Sequence, residues 1–176
     1  MTYKGTFRYP KMLEKVAREL AELRSKLSAD VYNANTEKYR GSQEKEVSYL
    51  GILAELVAQN YLIESEIPFT SAMLVDTKPL PEPDIVLKSG EKLDVKGVKP
   101  TATQLWVNHK AHLNSSKNCD FYWFVKLRAN YTASHYLVPH GDIDNWQIKE
   151  LRYTKAFVNN IVRIKQENED NRVYAS

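Results

Sequence analysis

The chain has 176 residues, 43% of them hydrophobic and 27% charged, and a formal net charge of +3. That is the size and balance of one ordinary domain able to bury a core, and it excludes a low-complexity or disordered chain. A single cysteine, Cys119, excludes an internal disulfide, no cysteine or histidine spacing suits structural zinc, and neither a signal-like start nor a membrane-length apolar run is present, so a cytoplasmic protein without membrane association is expected.

Pro10 stands at a natural first helical position, and Leu13, Val16, Ala17, Leu20, Leu23 and Leu27 follow with helical spacing, which predicts an amphipathic helix over 10–28. Its other face mixes Lys11, Glu14, Lys15, Arg18, Glu19, Glu22 and Arg24, an ordinary solvated surface. Residues 29–42 are polar and poorly periodic, a loop or the start of the next helix. Over 43–65 a second helix is predicted, with Val47, Leu50, Ala54, Val57, Ala58 and Tyr61 as its apolar stripe and Glu55 at the border. Glycine inside a helix costs about 1 kcal/mol relative to alanine, so Gly51 beside Ala54 and Ala58 predicts very close packing on this face. A carboxylate nearly buried there has to be paired or bind a metal.

Residues 67–75 read as a strand, and 76–81 as a proline-bearing loop that delivers the chain to Asp84. The short apolar runs Ile85 to Leu87 and Leu93 to Val95 flank Ser89-Gly90, which predicts a hairpin with a two-residue turn. Strand side chains alternate between faces, so Asp94 and Lys96 point one way and Val95 the other. Pro83 is tolerated at a strand start, and pairing the strands puts Asp84 roughly opposite Asp94. Two carboxylates and an ammonium then converge. Mg2+ takes oxygen ligands of this kind, and a neighbouring lysine can orient a water or neutralise charge on a phosphoryl group, so metal-assisted phosphodiester hydrolysis is the chemistry that fits. The plain alternative is a surface hairpin with an ion pair. Residues 88–117 carry six lysines against Glu91 and Asp94, a local net of +4, which places the positive charge where a polyanion would lie.

Two readings compete beyond the hairpin. Thr101 with Gln104 has capping-box spacing, whereas Leu105-Trp106-Val107 suits a third strand with Asn108 capping a helix from 109, and the second is preferred. Lys99, Gln104, Asn108, Lys110 and His112 are candidates for contacts to nucleic-acid phosphates, and Gln104 or His112 for assisting a catalytic water. The unbroken apolar run 121–128 predicts a central strand covered on both faces, and 134–139 another strand. His140 to Trp146 reads as a loop with a helical turn in which Asp142 and Asp144 act as caps rather than as a second metal site. Residues 151–165 suit an edge strand or a helix, and from about 166 the chain is a polar tail. With no repeat and no linker, one domain over 1–176 with its core at about 43–140 is expected.

Pro83-Asp84 and, ten positions on, Asp94-Val95-Lys96 resemble the signature of the PD-(D/E)XK nuclease superfamily, and Gly51 to Glu55 resembles the helical motif that many of its members carry earlier in the chain. The resemblance covers residues 50–127 best. It implies an α/β restriction-endonuclease-like core, a mixed β-sheet flanked by helices. It further implies a Mg2+-dependent deoxyribonuclease of restriction, junction-resolving or phage and repair type, with Mn2+ able to substitute. The implied catalytic set is Glu55, Asp84, Asp94 and Lys96. Asp84 and Asp94 would hold the metal with the Val95 carbonyl, and Glu55 would act directly or through water. DNA is the implied partner, and cutting two strands with one small domain is compatible with a homodimer. The alternative is a protein of this fold that binds nucleic acid without cutting it.

Overall fold

The computed structural model describes residues 5–31, 44–72, 74, 82–113, 118–151 and 154–162. Readings that fall on 32–43, on the loop 75–81 and on the tail from 163 lie outside the described residues.

The first helical period gives α1, Met12–Val31, and the second gives α2, Glu44–Glu64. Alpha2 is more deeply buried than its predicted stripe. Ile52, Leu53, Ala54, Val57, Ala58 and Leu62 are essentially inaccessible, whereas Val47 is exposed, because α2 packs against α1 on one side and against the sheet on the other.

The main sheet has the order β1-β7-β6-β4-β3-β2. Its strands are β1 Thr6–Arg8, β2 Phe69–Ser71, β3 Ile85–Leu87, β4 Lys92–Val98, β6 Phe121–Arg128 and β7 Thr132–Pro139. All its pairs are antiparallel except β4 with β6, which run parallel from Leu93 beside Phe121 to Val98 beside Lys126. A parallel pair needs a crossover, and the chain fills it with β5, Gln104–Asn108, and the short helix α3, His109–Leu113. The preferred reading of this stretch holds, since the Ala111 N–H donates to Asn108 Oδ1 at 3.0 Å as a helix cap. Beta5, however, is not a third strand beside the hairpin. It joins a separate antiparallel sheet of order β5-β9-β8, with β8 Gln147–Glu150 and β9 Lys155–Asn160.

Strand alternation then sorts the core into two layers. Leu93, Val95, Trp123 and Val125 face α2, while Val98, Tyr122, Phe124, Tyr136 and Val138 face Leu105, Val107, Phe157 and the 3-10 segment His140–Asn145. Beta6 is thus covered on both sides, as its apolar run predicts. The chain is an α/β protein with a mixed sheet flanked by helices.

Three expectations need correction, and one strand was not foreseen. The strand predicted over 67–75 is only three residues long. Beta1 carries no sequence signal of its own. The hairpin turn is a three-residue loop, Lys88-Ser89-Gly90, closed by bonds between Leu87 and both Gly90 and Glu91, with Gly90 at φ 99° in the left-handed region that such loops require. Nothing lies within 4 Å of a Cβ built on Gly51, so the close approach is not there. It is at Gly97, where an added Cβ would sit 2.5 Å from the Leu50 carbonyl oxygen of α2, on the helix side of the sheet.

His135 on β7 is buried against Phe7, Tyr61 and Trp123, and the Trp123 indole donates to its Nδ1 at 3.1 Å. Burial pushes its pKa down to about 4, because the imidazolium would be desolvated. Between the ordinary histidine value near 6.5 and that lowered value the unfolded chain binds the extra proton, so this contribution to stability is complete above the ordinary value and fades as the pH falls. Stability should drop by about 2–3 kcal/mol between pH 7.5 and 4.5 through this group. Urea unfolding at the two pH values checks it: the His135→Gln variant should lose that part of the difference.

Candidate active site

The site begins as a question of register. Ile85 pairs with Leu93, so one step further back Asp84 falls opposite Asp94 and Pro83 opposite Val95. Proline has no N–H, so the ladder bond that would normally reach the Val95 carbonyl from that position cannot form. The Val95 N–H finds another partner: it donates to Asp84 Oδ2 at 2.7 Å. In a strand a residue's N–H and C=O point to the same side, so the Val95 carbonyl faces the same edge as the Asp84 carboxylate. The Pro-Asp dipeptide therefore ends the β3 ladder and puts a carboxylate in its place.

Asp94 lies on the opposite face from α2 and is only 2% exposed. An unpaired carboxylate at that depth would be costly, and the Lys96 ammonium, two residues on and on the same face, forms an ion pair with Asp94 Oδ2. The Lys96 side chain keeps about a third of its surface in solvent and sets its ammonium 5.8 Å from the centre of the Tyr122 ring. Tyr122 is the parallel neighbour of Asp94 on β6. Its hydroxyl pKa is raised by burial first, then by Cys119 and Asp94.

The fold thus brings Asp84, Asp94, Val95 and Lys96 together. Glu55 is half-buried on α2, which covers the other face of the sheet. Among the described residues no three acidic, histidine or cysteine side chains are grouped as a metal cage. The donor types still suit a hard divalent cation: two carboxylates from facing strands and a carbonyl directed to the same edge, with like charges opposite each other that a cation would relieve.

The expected phosphate contacts divide. Lys99 and Lys110 are exposed, and Lys99 follows β4 into a cleft of about 300 Å³ that it shares with Tyr9, Tyr49 and Arg128. Gln104 is half-buried, and Asn108, although exposed, spends its oxygen on the cap of α3. His112 is a correction. It is 3% exposed, with Nδ1 3.0 Å from the Tyr122 hydroxyl and Nε2 3.0 Å from Asp144 Oδ1, so it reaches neither a phosphate nor a surface water. Asp144 is correspondingly a histidine partner, and the 3-10 segment starts after Pro139 with no side-chain cap. His140 stacks on His112 at 4.1 Å, and its pKa is lowered by burial and then by His112, against opposing pulls from Asp144, Asp94 and Asp120. Sequence reasoning passed over Tyr122. Its only signal is a polar-tipped aromatic inside an otherwise apolar central strand.

No protein-family model matches the sequence, and no curated protein matches it either. Among solved structures a match is Hjc, a Holliday junction resolvase from the archaeal hyperthermophile Archaeoglobus fulgidus. It is 10% identical, with a TM-score of 0.35, over 65% of this chain and 97% of that one.

Proposed function

We propose that the protein is a metal-dependent nuclease that hydrolyses DNA phosphodiester bonds, built on a restriction-endonuclease-like core and cutting as a restriction, junction-resolving or phage and repair enzyme does. One observation carries the reading: at the start of β3 the Asp84 carboxylate takes the Val95 N–H, and on one face of β4 the neighbouring Asp94 is paired with Lys96, just where Pro83 offers no ladder donor. Asp84, Asp94 and the Val95 carbonyl would hold Mg2+, with Mn2+ able to replace it. A metal held there would supply polarisation of a phosphoryl oxygen and a more acidic water. Lys96 has the flexible stem and the solvent access to hold the attacking water and to offset charge gathering on the phosphate. Lys99 and Lys110, both exposed, would receive flanking phosphates, and a homodimer would supply a second site for the second strand. The family's outcome would be a 5′-phosphate and a 3′-hydroxyl.

A second reading has its own support. Lys96 already neutralises Asp94, and no three-ligand cage stands among the described residues, which favours a protein that binds nucleic acid without cutting it. Incubation with plasmid, single-stranded and four-way-junction DNA in Mg2+, Mn2+ or EDTA separates the two. Cutting in either metal that stops in EDTA is expected; binding to all three substrates without cutting any would overturn the nuclease.

No helix among the described residues is long and apolar enough to cross a membrane.

A further inference from the structure

We propose that Tyr122 is a positioning residue for Lys96, with its ring held in place by a hydrogen-bonded chain through His112 to Asp144. The proposal rests on the reading of Lys96 as the group that holds the attacking water.

The parallel register of β4 and β6 sets Asp94 beside Tyr122 and Lys96 beside Phe124, all on one face. A lysine stem has four rotatable carbons, and the Asp94 carboxylate restrains only its tip. The Tyr122 ring supplies the second restraint, since an ammonium 5.8 Å from a ring centre is attracted to the π-electron face. Two contacts of different direction define a position where one would leave an arc.

The ring itself is fixed by more than packing. An ionised carboxylate only accepts, so His112 Nε2 carries the proton that goes to Asp144 at 3.0 Å, and in the neutral ring Nδ1 is left to accept the Tyr122 O–H at 3.0 Å. His140 lies nearly parallel to both rings, 4.1 Å from His112 and 5.5 Å from Tyr122. Cys119 contacts the same hydroxyl. A core that needed only volume here would be served by apolar side chains, which bring no polar groups to satisfy. The chain instead ties the platform under Lys96 to Asp144, which is 60% exposed on the 3-10 segment.

The test reads Lys96 directly and does not depend on cleavage. Lysines of the whole protein are reductively methylated with 13C, which keeps the charge, and the Lys96 resonance is assigned by its absence from Lys96→Arg. The expected resonance is shifted upfield by the Tyr122 ring. It should move to the position of ordinary exposed lysines in Tyr122→Leu, and broaden or move partway both in Tyr122→Phe, which keeps the ring but cuts the chain at the hydroxyl, and in Asp144→Asn, a surface change that the fold should tolerate. Single-turnover cleavage should fall about 10- to 100-fold in Tyr122→Leu with DNA affinity unchanged, and by less in Tyr122→Phe, which keeps the ring without its hydrogen bond. A Lys96 resonance that is unshifted in the wild type, or indifferent to both Tyr122→Leu and Asp144→Asn, overturns the proposal. A wild type that cuts no DNA but shows the shift and its loss in Tyr122→Leu refutes the nuclease and leaves the placement of Lys96 by Tyr122 standing.

Discussion

Lys96→Ala is expected to lose at least about 100- to 1,000-fold in single-turnover DNA cleavage while still binding DNA, because the charge that would face the phosphate is removed and the exposed lysines are not. The same change also takes the Lys96 ammonium away from the buried Asp94. Breaking a fully buried pair costs about 3–5 kcal/mol, and since Lys96 is 32% exposed and water screens part of the attraction, about 2 kcal/mol is the expected loss of stability. Inactivity alone would therefore be ambiguous between lost chemistry and a weakened fold. A urea titration of Lys96→Ala resolves it: the variant should still be folded in the assay buffer and cut at background, and adding Asp94→Asn, read for stability alone, should return the urea midpoint toward wild type. A Lys96→Ala protein that cuts at the wild-type rate would sink the assignment of this site.

Gly97→Ala should destabilise the protein by about 3 kcal/mol or more. The added methyl would sit 2.5 Å from the Leu50 carbonyl oxygen and 2.9 Å from its carbon, both backbone atoms in the middle of a hydrogen-bonded helix. No rotamer change relieves such a contact, so α2 would have to lift from β4, and overpacking of that kind costs 1–3 kcal/mol or more. Gly51→Ala makes the companion measurement. Nothing lies within 4 Å of its new methyl, and alanine is the better helix former by about 1 kcal/mol, so this variant should be slightly more stable. Urea titration of the pair tests the helix–sheet contact: equal midpoints would mean that α2 does not approach β4 as closely as described. Activity should follow stability in Gly97→Ala, since the clash is on the face away from Lys96.

What could be read in the sequence was whatever depends on neighbours along the chain. The periods of α1 and α2, the hairpin around Gly90 and the cap at Asn108 are local, and each is present with its ends moved by a few residues. Period-two alternation also placed Asp94 and Lys96 on one face, and the hairpin brought Asp84 to the same strand, where its carboxylate takes the Val95 N–H. What could not be read was pairing at a distance. Beta1 is three residues that find β7 more than 120 positions later, and β8 exposes all four of its residues, so neither carries a hydrophobic signature. The glycines show the same limit. A sequence tells that a small residue is present, but only the packed fold tells that Gly97 needs to be small and Gly51 does not. His112 was misread because a five-residue helix has no period from which to infer its buried side.

The two outermost strands of the main sheet are three residues each, Thr6–Arg8 and Phe69–Ser71, and both have exposed polar side chains. Such borders offer another copy too few unpaired amides to template a continued ladder, which is one way a sheet protein avoids sticking to itself edge to edge. Any pairing of two copies should therefore leave the borders of the main sheet alone and go through helical surfaces or through the small sheet, whose border strands Gln104–Asn108 and Gln147–Glu150 are longer.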